Sequence, residues 1–211
     1  MSSHPSPHDS PARRGPAPRG PARHGPERRG HASVLVRRAD VGDIAWQVLL
    51  REGHLVALRD DVGLPRRVAP TPQLRAAALA PLVPARCAVG RAAAAWVHLG
   101  GPSPARVHVV ATRRDRVPAP HPDRTTSAAD LTARDVVVLA GVRVTTPRRT
   151  ARDLLTDEPP GVALPLLVRL RDTGLDLAGV RSDVAAAAGR RGVRQAARAL
   201  QDLRPLQGVR P

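Results

Sequence analysis

Proline and glycine, 23 and 17 of the 211 residues, interrupt every aliphatic run of this chain before it grows long. Gly53 stops the first helical pattern and Pro65 closes the strand pattern after it. Pro81 and Pro84, then Gly100-Gly101, then Pro159-Pro160 and Gly161, and finally Gly174 and Gly189 punctuate the rest. Such residues either lack the backbone N–H or favour turn conformations, so they mark element ends. The chain therefore reads as a series of short helices and strands. The runs richest in apolar residues, 76–85 and 136–144, fall well short of the roughly 20 residues that cross a bilayer. No apolar core follows the charges near the N-terminus, so a secretory signal is not expected.

Residues 1–33 carry glycines at 15, 20, 25 and 30, and prolines follow the first three. Six arginines against two acids leave this stretch at +4, with almost nothing apolar to bury. Nothing there offsets the entropy of ordering, so a disordered basic tail is expected. From Val34 onward the aliphatic density rises. Asp40 is placed to cap a helix reaching about Glu52, with Ile44, Val48 and Leu49 on one side. His54 to Arg59 and Val62 to Leu64 read as two strands around a turn at Asp60-Asp61. Thr71-Pro72 is a cap followed by proline at the first helical position, opening a helix to about Ala80. A helix over Gly90 to Leu99 and a strand over Arg106 to Thr112 come next, and 113–130 reads mostly as loop. Val136–Leu139 and Val142–Val144 flank Ala140-Gly141, a hairpin signal. Thr146-Pro147 repeats the cap-and-proline device, and its helix places Ala151, Leu154 and Leu155 on one face. Three further helices are expected, over about Val162–Asp172, Leu177–Ala188 and Val193–Leu203.

The expected fold class is α+β, with a winged-helix-like N-terminal unit followed by a mostly helical α+β domain. The boundaries are a tail over 1–33, a partial winged unit over 34–70, the α+β domain over 71–204 and a C-terminal tail over 205–211. A short helix running into a β-ribbon is how a winged helix-turn-helix ends, with the helix suited to the major groove of duplex DNA. Arg37, Arg38, Arg51, His54, Arg59, Arg66 and Arg67 surround this unit and are the candidate DNA contacts. Against them stand Asp60 and Asp61 at the ribbon's tip, where phosphate would approach. The plain alternative is a structural hairpin.

Charge points the same way in general terms. Thirty-four basic residues face 18 acidic ones for a net +16. No position is Lys, so every basic residue counted here is Arg, and Asn, Tyr and Phe are absent as well, with Ile44 the one isoleucine. GC-rich codon bias explains the choice of Arg over Lys but not the excess of base over acid. A surplus of this size attracts polyanions, with an affinity that falls as salt rises. A second basic cluster, Arg190, Arg191, Arg194 and Arg198, lies near the C-terminus, where a solvated helix face is the plainer reading.

The absences bear on catalysis. Without Lys there is no P-loop lysine, no Schiff base, no serine–lysine dyad and no nuclease site of the usual acid-x-Lys form. HExxH, Gly-x-Ser-x-Gly and paired zinc-binding cysteines are missing too. His98, on an apolar helix, and His108, in a strand, have no neighbour at metal-ligand spacing and read as hydrogen-bonded core histidines. No enzymatic activity, metal or cofactor is expected. Cys87 is the single cysteine, so no intrachain disulfide forms and a reducing, cytoplasmic setting fits.

Several stretches resemble the AbiEi family of type IV antitoxins, in its actinobacterial branch. Residues 49–59, Leu-Leu-Arg-Glu-Gly-His-Leu-Val-Ala-Leu-Arg, look like its recognition helix and wing. Residues 92–100, Ala-Ala-Ala-Ala-Trp-Val-His-Leu-Gly, resemble its Ala-Ala-x-x-His-Gly helix, and Val107–Val110 its central strand. The fullest match runs from Asp135 through Gly141-Val142-Arg143-Val144-Thr145-Thr146-Pro147-Arg148-Arg149-Thr150-Ala151-Arg152-Asp153-Leu154-Leu155, similar to the family's hairpin and Thr-x-Pro-x-Arg-Thr-x-x-Asp-Leu helix. The resemblance spans about 44–204. It departs at Asp60-Asp61, where Arg-Gly is expected, at Leu64 in place of an aromatic, and at Val89-Gly90 in place of Ser-His. The resemblance implies a winged-helix unit that binds double-stranded DNA at its own promoter and represses it, joined to an antitoxin domain. The implied functional partner is a nucleotidyltransferase-like toxin. Some relatives continue into an endonuclease-like domain, which does not transfer to this chain. Competing readings are a non-enzymatic protein-interaction module and a degenerate, nuclease-less relative. Within 145–153 the residues suggest a structural joint: Thr146 caps, Pro147 starts the helix, and Asp153 pairs with Arg149 or Arg148.

Overall fold

The computed structural model describes residues 34–187 and 192–202. The tails expected at 1–33 and 205–211 lie outside these residues, as do Gly189, Arg190 and Arg191. The described residues form an α+β fold with eight helices and two sheets. The N-terminal portion comprises β1 (Val36–Arg37), α1 (Arg38–Val41), α2 (Asp43–Arg51), β2 (Leu55–Arg59) and β3 (Val62–Pro65). Its strands form an antiparallel sheet in the order β1-β3-β2.

Thr-Pro pairs set two of the helix starts. α3 (Pro72–Leu79) begins with the Thr71 hydroxyl accepting the Leu74 amide at 3.2 Å. That bond satisfies one of the four free amides at a helix start. Leu74 through Leu79 are all buried, because α3 lies between the two sheets and is covered on every side. This is why a short, alanine-rich helix holds there at all. It also means the 34–70 unit shares a core with the helix after it.

α4 (Arg91–Leu99) is buried along Ala93–Val97 and packs between the second sheet and the C-terminal helices. That sheet contains β4 (Ala88–Val89), β5 (Val107–Thr112), β6 (Arg124–Ala129), β7 (Val136–Leu139) and β8 (Val142–Thr145) in the order β6-β5-β4-β8-β7. β5 pairs in parallel with β6, and β4 with β8. The stretch 113–130, expected as loop, thus contains an edge strand. Its residues Arg-Thr-Thr-Ser-Ala-Ala have little apolar alternation, and β6 is held by its full register with β5 and by side-chain hydrogen bonds.

Those bonds centre on His108. Its Nδ1 is 3.0 Å from the Thr125 hydroxyl and its Nε2 is 2.9 Å from the Ser127 hydroxyl. Burial, with the Arg91 guanidinium nearby, lowers its pKa to about 4. His98 is likewise pushed down by burial. Its Nε2 donates to the Thr145 carbonyl at 2.7 Å, which fixes the proton on that nitrogen.

The hairpin β7–β8 turns at Ala140 and Gly141, with φ of 46° and 75°. Positive φ at both central residues matches the right-handed twist of the strands. β8 leads directly into α5 (Pro147–Asp157), capped by the Thr146 hydroxyl accepting the Arg149 amide at 3.3 Å. α6 (Pro160–Asp172), α7 (Leu177–Ala186) and α8 (Val193–Asp202) complete the fold. Leu154, Leu155, Leu167, Leu170, Val184 and Leu200 fill their common core.

Asp153 pairs with Arg149, as the i,i+4 spacing suggests. The Arg149 Nε donates to both Asp153 oxygens at 2.9 and 2.8 Å, and its Nη1 reaches the Asp130 carbonyl at 2.9 Å and Asp135 at 3.2 Å. Burial works against the Asp135 charge, but the Thr132 amide and hydroxyl, with Arg149 and Arg152, outweigh it and hold the carboxyl below its ordinary range. Arg148 instead reaches α7, with two bonds of 2.6 Å to Asp183.

Replacing Arg149 by Met leaves Asp153 and Asp135 without their shared cation in a buried site. Urea unfolding should show a loss of about 3–5 kcal/mol, and Arg149→Met/Asp153→Leu should recover part of it. For His108, the neutral form is favoured in the folded chain, whereas the unfolded chain takes up its proton near pH 6.5. This contribution is complete above that pH and is lost as pH falls toward 4, by about 3 kcal/mol in all. His108→Gln should flatten the slope of unfolding free energy between pH 6.5 and 4, as measured by denaturation at a series of pH values.

Candidate nucleic-acid interface

α1 and α2 meet at Gly42, whose φ of 80° and ψ of 162° lie where glycine alone is comfortable. The Gly42 amide closes α1 on the Arg38 carbonyl at 2.9 Å, and its carbonyl accepts from Trp46 to open α2 at 3.0 Å. One residue therefore ends one helix and starts the next. Asp40, expected as the cap, lies inside α1 and leaves the start of α2 to Gly42.

The inward side of α2 is set by Trp46, only 2% exposed. Its ring packs on Gly63 of β3, where an added Cβ would lie 3.1 Å from the Trp46 Cη2. Ile44, expected to face inward with Val48 and Leu49, is 84% exposed instead. A single large ring takes the space at the helix–sheet contact, so the helix is rotated relative to that expectation. The rotation puts Ile44, Gln47 and Arg51 on the outer side. Their spacing of three and four residues aligns them in one strip along the helix. Gln47 is not among the sequence-based candidates, because a lone glutamine carries no signal until the buried face is known.

The seven candidate contacts divide into two groups. Arg37 reaches inward to the Ala77 carbonyl at 3.4 Å. Arg38 is tied to Asp43 at 2.7 Å, and the bond and the charge of that carboxylate raise its pKa. The Arg59 side chain is 8% exposed and bonds Asp61 at 3.2 Å, with its Nη1 buried and unpartnered. Arg51, His54, Arg66 and Arg67 are exposed. They gather at the C-terminal end of α2, where the His54 amide bonds the Leu49 carbonyl and the Arg66 amide bonds the His54 carbonyl, each at 3.0 Å. The three arginines suit this end of a helix because its carbonyls leave a partial negative charge. The opposite end of the ribbon carries Asp60 and Asp61, both exposed.

Elsewhere, Arg194 and Arg198 are exposed on α8 beside a groove lined by Pro160 and Leu164. Among the described residues no group of three His, Cys, Asp or Glu could hold a metal ion. Cys87 is buried, and burial raises its thiol pKa. No described helix is long and apolar enough to cross a membrane.

No protein-family model matches the chain, and no curated protein matches it. Among solved structures it has a distant likeness to the Rv2827c protein from Mycobacterium tuberculosis. The identity is 18%, the TM-score is 0.42, and the match covers 82% of this chain and 74% of that one.

Proposed function

We propose that this chain is a DNA-binding regulator that reads double-stranded DNA at its own promoter through α2. The observation that carries the reading is the exposed strip Ile44–Gln47–Arg51 on the second helix of a glycine-joined pair, with a β-ribbon directly after it. Helix, turn, helix and ribbon is the order in which a winged helix-turn-helix presents itself to a major groove. The strip suits base edges. Arg pairs bidentately with guanine, Gln with adenine, and an apolar side chain fits a thymine methyl. Arg66 and Arg67 supply cations beside the strip for phosphate, and His54 an exposed ring beside them. Arg37 and Arg59, turned inward, are given no part in this interface.

The antitoxin part of the proposal, a toxin of nucleotidyltransferase type countered by the same protein, rests on the resemblance at 49–59, 92–100 and 135–155. The α5 motif within it acts as a joint between β8 and the helical core through Arg149 and Asp153. We assign it no catalytic step. Asp43, Asp60 and Asp61 favour a second reading, in which the unit docks on a basic protein surface and has given up DNA.

The two readings separate by fluorescence anisotropy on duplexes from the protein's own promoter and on random duplexes, at low and physiological salt. A regulator keeps a promoter-specific complex at physiological salt. Gln47→Ala and Arg51→Ala should each weaken that complex about 10- to 100-fold with little change on random DNA, since one bidentate base contact contributes roughly 1–3 kcal/mol of discrimination. Arg67→Ala should weaken both complexes and lower the salt slope by about one. Binding that is blind to sequence, disappears at physiological salt and ignores Gln47→Ala overturns the DNA reading.

A further inference from the structure

Between the ribbon and the end of α4 lies a cavity of about 390 Å³. This falls within the range of small-molecule sites. One wall is β2 at Val56–Leu58, with Leu64 of β3 behind it; Arg66 and Arg67 lie at the rim, and Trp96 with Gly100-Gly101 forms the far side. Trp96 is 2% exposed, and its indole N–H is already committed to the Gly101 carbonyl at 3.0 Å. The cavity therefore meets an aromatic side chain whose donor is satisfied.

The charges around it have one sign. Arg66, Arg67 and Arg75 all line the cavity, and no Asp or Glu does. Arg75 spends its three nitrogens on the carbonyls of Val97, Pro70 and His98, at 2.8, 2.8 and 3.2 Å. It contributes charge but no free nitrogen. Arg66 and Arg67 are exposed, and neither side chain makes a hydrogen bond or ion pair to any described residue. Three cations over an apolar, aromatic cavity, two of them with every side-chain donor free, complement a molecule with an anionic head and an apolar body.

We propose that this cavity is a binding site for a small organic anion, an aromatic or medium-chain carboxylate in type, whose head is held by Arg66 and Arg67 and whose body lies against Leu58, Leu64 and Trp96. The wall carrying the ribbon and the wall carrying α4 belong to different sheets' cores. A ligand there bridges the N-terminal unit to the rest of the fold. The proposal concerns the small molecule alone and does not depend on DNA binding.

The test uses 1-anilinonaphthalene-8-sulfonate, an apolar aromatic body with an anionic head, titrated into the full chain and followed by its fluorescence and by tryptophan quenching. Saturable one-to-one binding is expected. Its uncharged analogue N-phenyl-1-naphthylamine should bind at least tenfold more weakly. Arg66→Gln/Arg67→Gln should weaken the sulfonate at least tenfold without changing the analogue, and Val56→Phe, which enlarges a side chain on the face of β2 that pairs with Leu64, should weaken both. The double arginine variant alters exposed side chains only, so it remains informative even if Val56→Phe fails to fold. Saturable displacement by decanoate is the expected result for a carboxylate site. Absence of saturable binding, or binding equally tight to the uncharged analogue or to the double variant, overturns the proposal.

Discussion

The carboxyl end of α4 is where the three cores of this molecule are tied together. A helix ends with carbonyls that have no partner within it, and here that end is half-buried against other elements. Arg75, from α3, takes the Val97 and His98 carbonyls and extends to Pro70, at the edge of the N-terminal unit. Arg169, from α6, takes the Leu99 and Gly100 carbonyls at 3.1 and 3.3 Å. His98 turns the other way and holds the Thr145 carbonyl, where β8 passes into α5. Each cation meets the negative end of the helix dipole. Burial and the neighbouring Arg169 both lower the Arg75 pKa. Successive carbonyls at the end of α4 hold the two like charges there, so the packing of α3, α6 and β8 on α4 is specified by polar contacts as well as by apolar area.

The joint at Arg149 does the same near the corner where β8 passes into α5. It gathers Asp153 from its own helix, Asp135 from the turn before β7, and the Asp130 carbonyl from the end of β6. The connection between β6 and β7 is thereby fixed to the start of α5 by one planar side chain. Lys presents a point charge and could not span them in the same geometry. Thr145 and Thr150 close the corner, their hydroxyls 2.6 Å apart and both buried. The stretch that carries the fullest family resemblance is thus a corner that orients α5 relative to the sheet.

How much of this fold is legible in the sequence depends on how local each signal is. Thr71-Pro72 and Thr146-Pro147 act within one turn, and both cap as expected. Ala140-Gly141 acts within one hairpin. β6 is illegible in the sequence because its pairing energy comes from β5, far from any pattern in its own polar residues. The face of α2 is misleading for a similar reason. Ile44, Val48 and Leu49 suggest an apolar stripe, yet Trp46 outweighs them in buried area, and Gly63 is shaped to receive it. Arg75 gives no signal at all, since a buried arginine in an alanine-rich helix is explained only once the end of α4 is seen beside it. Of the candidate interface, the neighbourhood is legible and the individual roles are not.

The internal uses of arginine also change what the net charge means. A surplus of +16 suggests a surface given over to polyanions, but a sizeable share of the arginines faces inward or is matched. Arg75 and Arg149 are buried on carbonyls and carboxylates, Arg59 is nearly enclosed, and Arg38, Arg91 and Arg148 are paired with acids. In a chain without Phe or Tyr, whose core is largely alanine, valine and leucine, these planar cations bridge gaps between elements that larger apolar side chains would otherwise fill. The cations left for a partner are fewer than the total implies, and Arg51, Arg66 and Arg67 form one exposed group of them beside α2. An evenly spread excess would hold any polyanion weakly, so how an anion is met depends on where the unpaired arginines sit and not on their total.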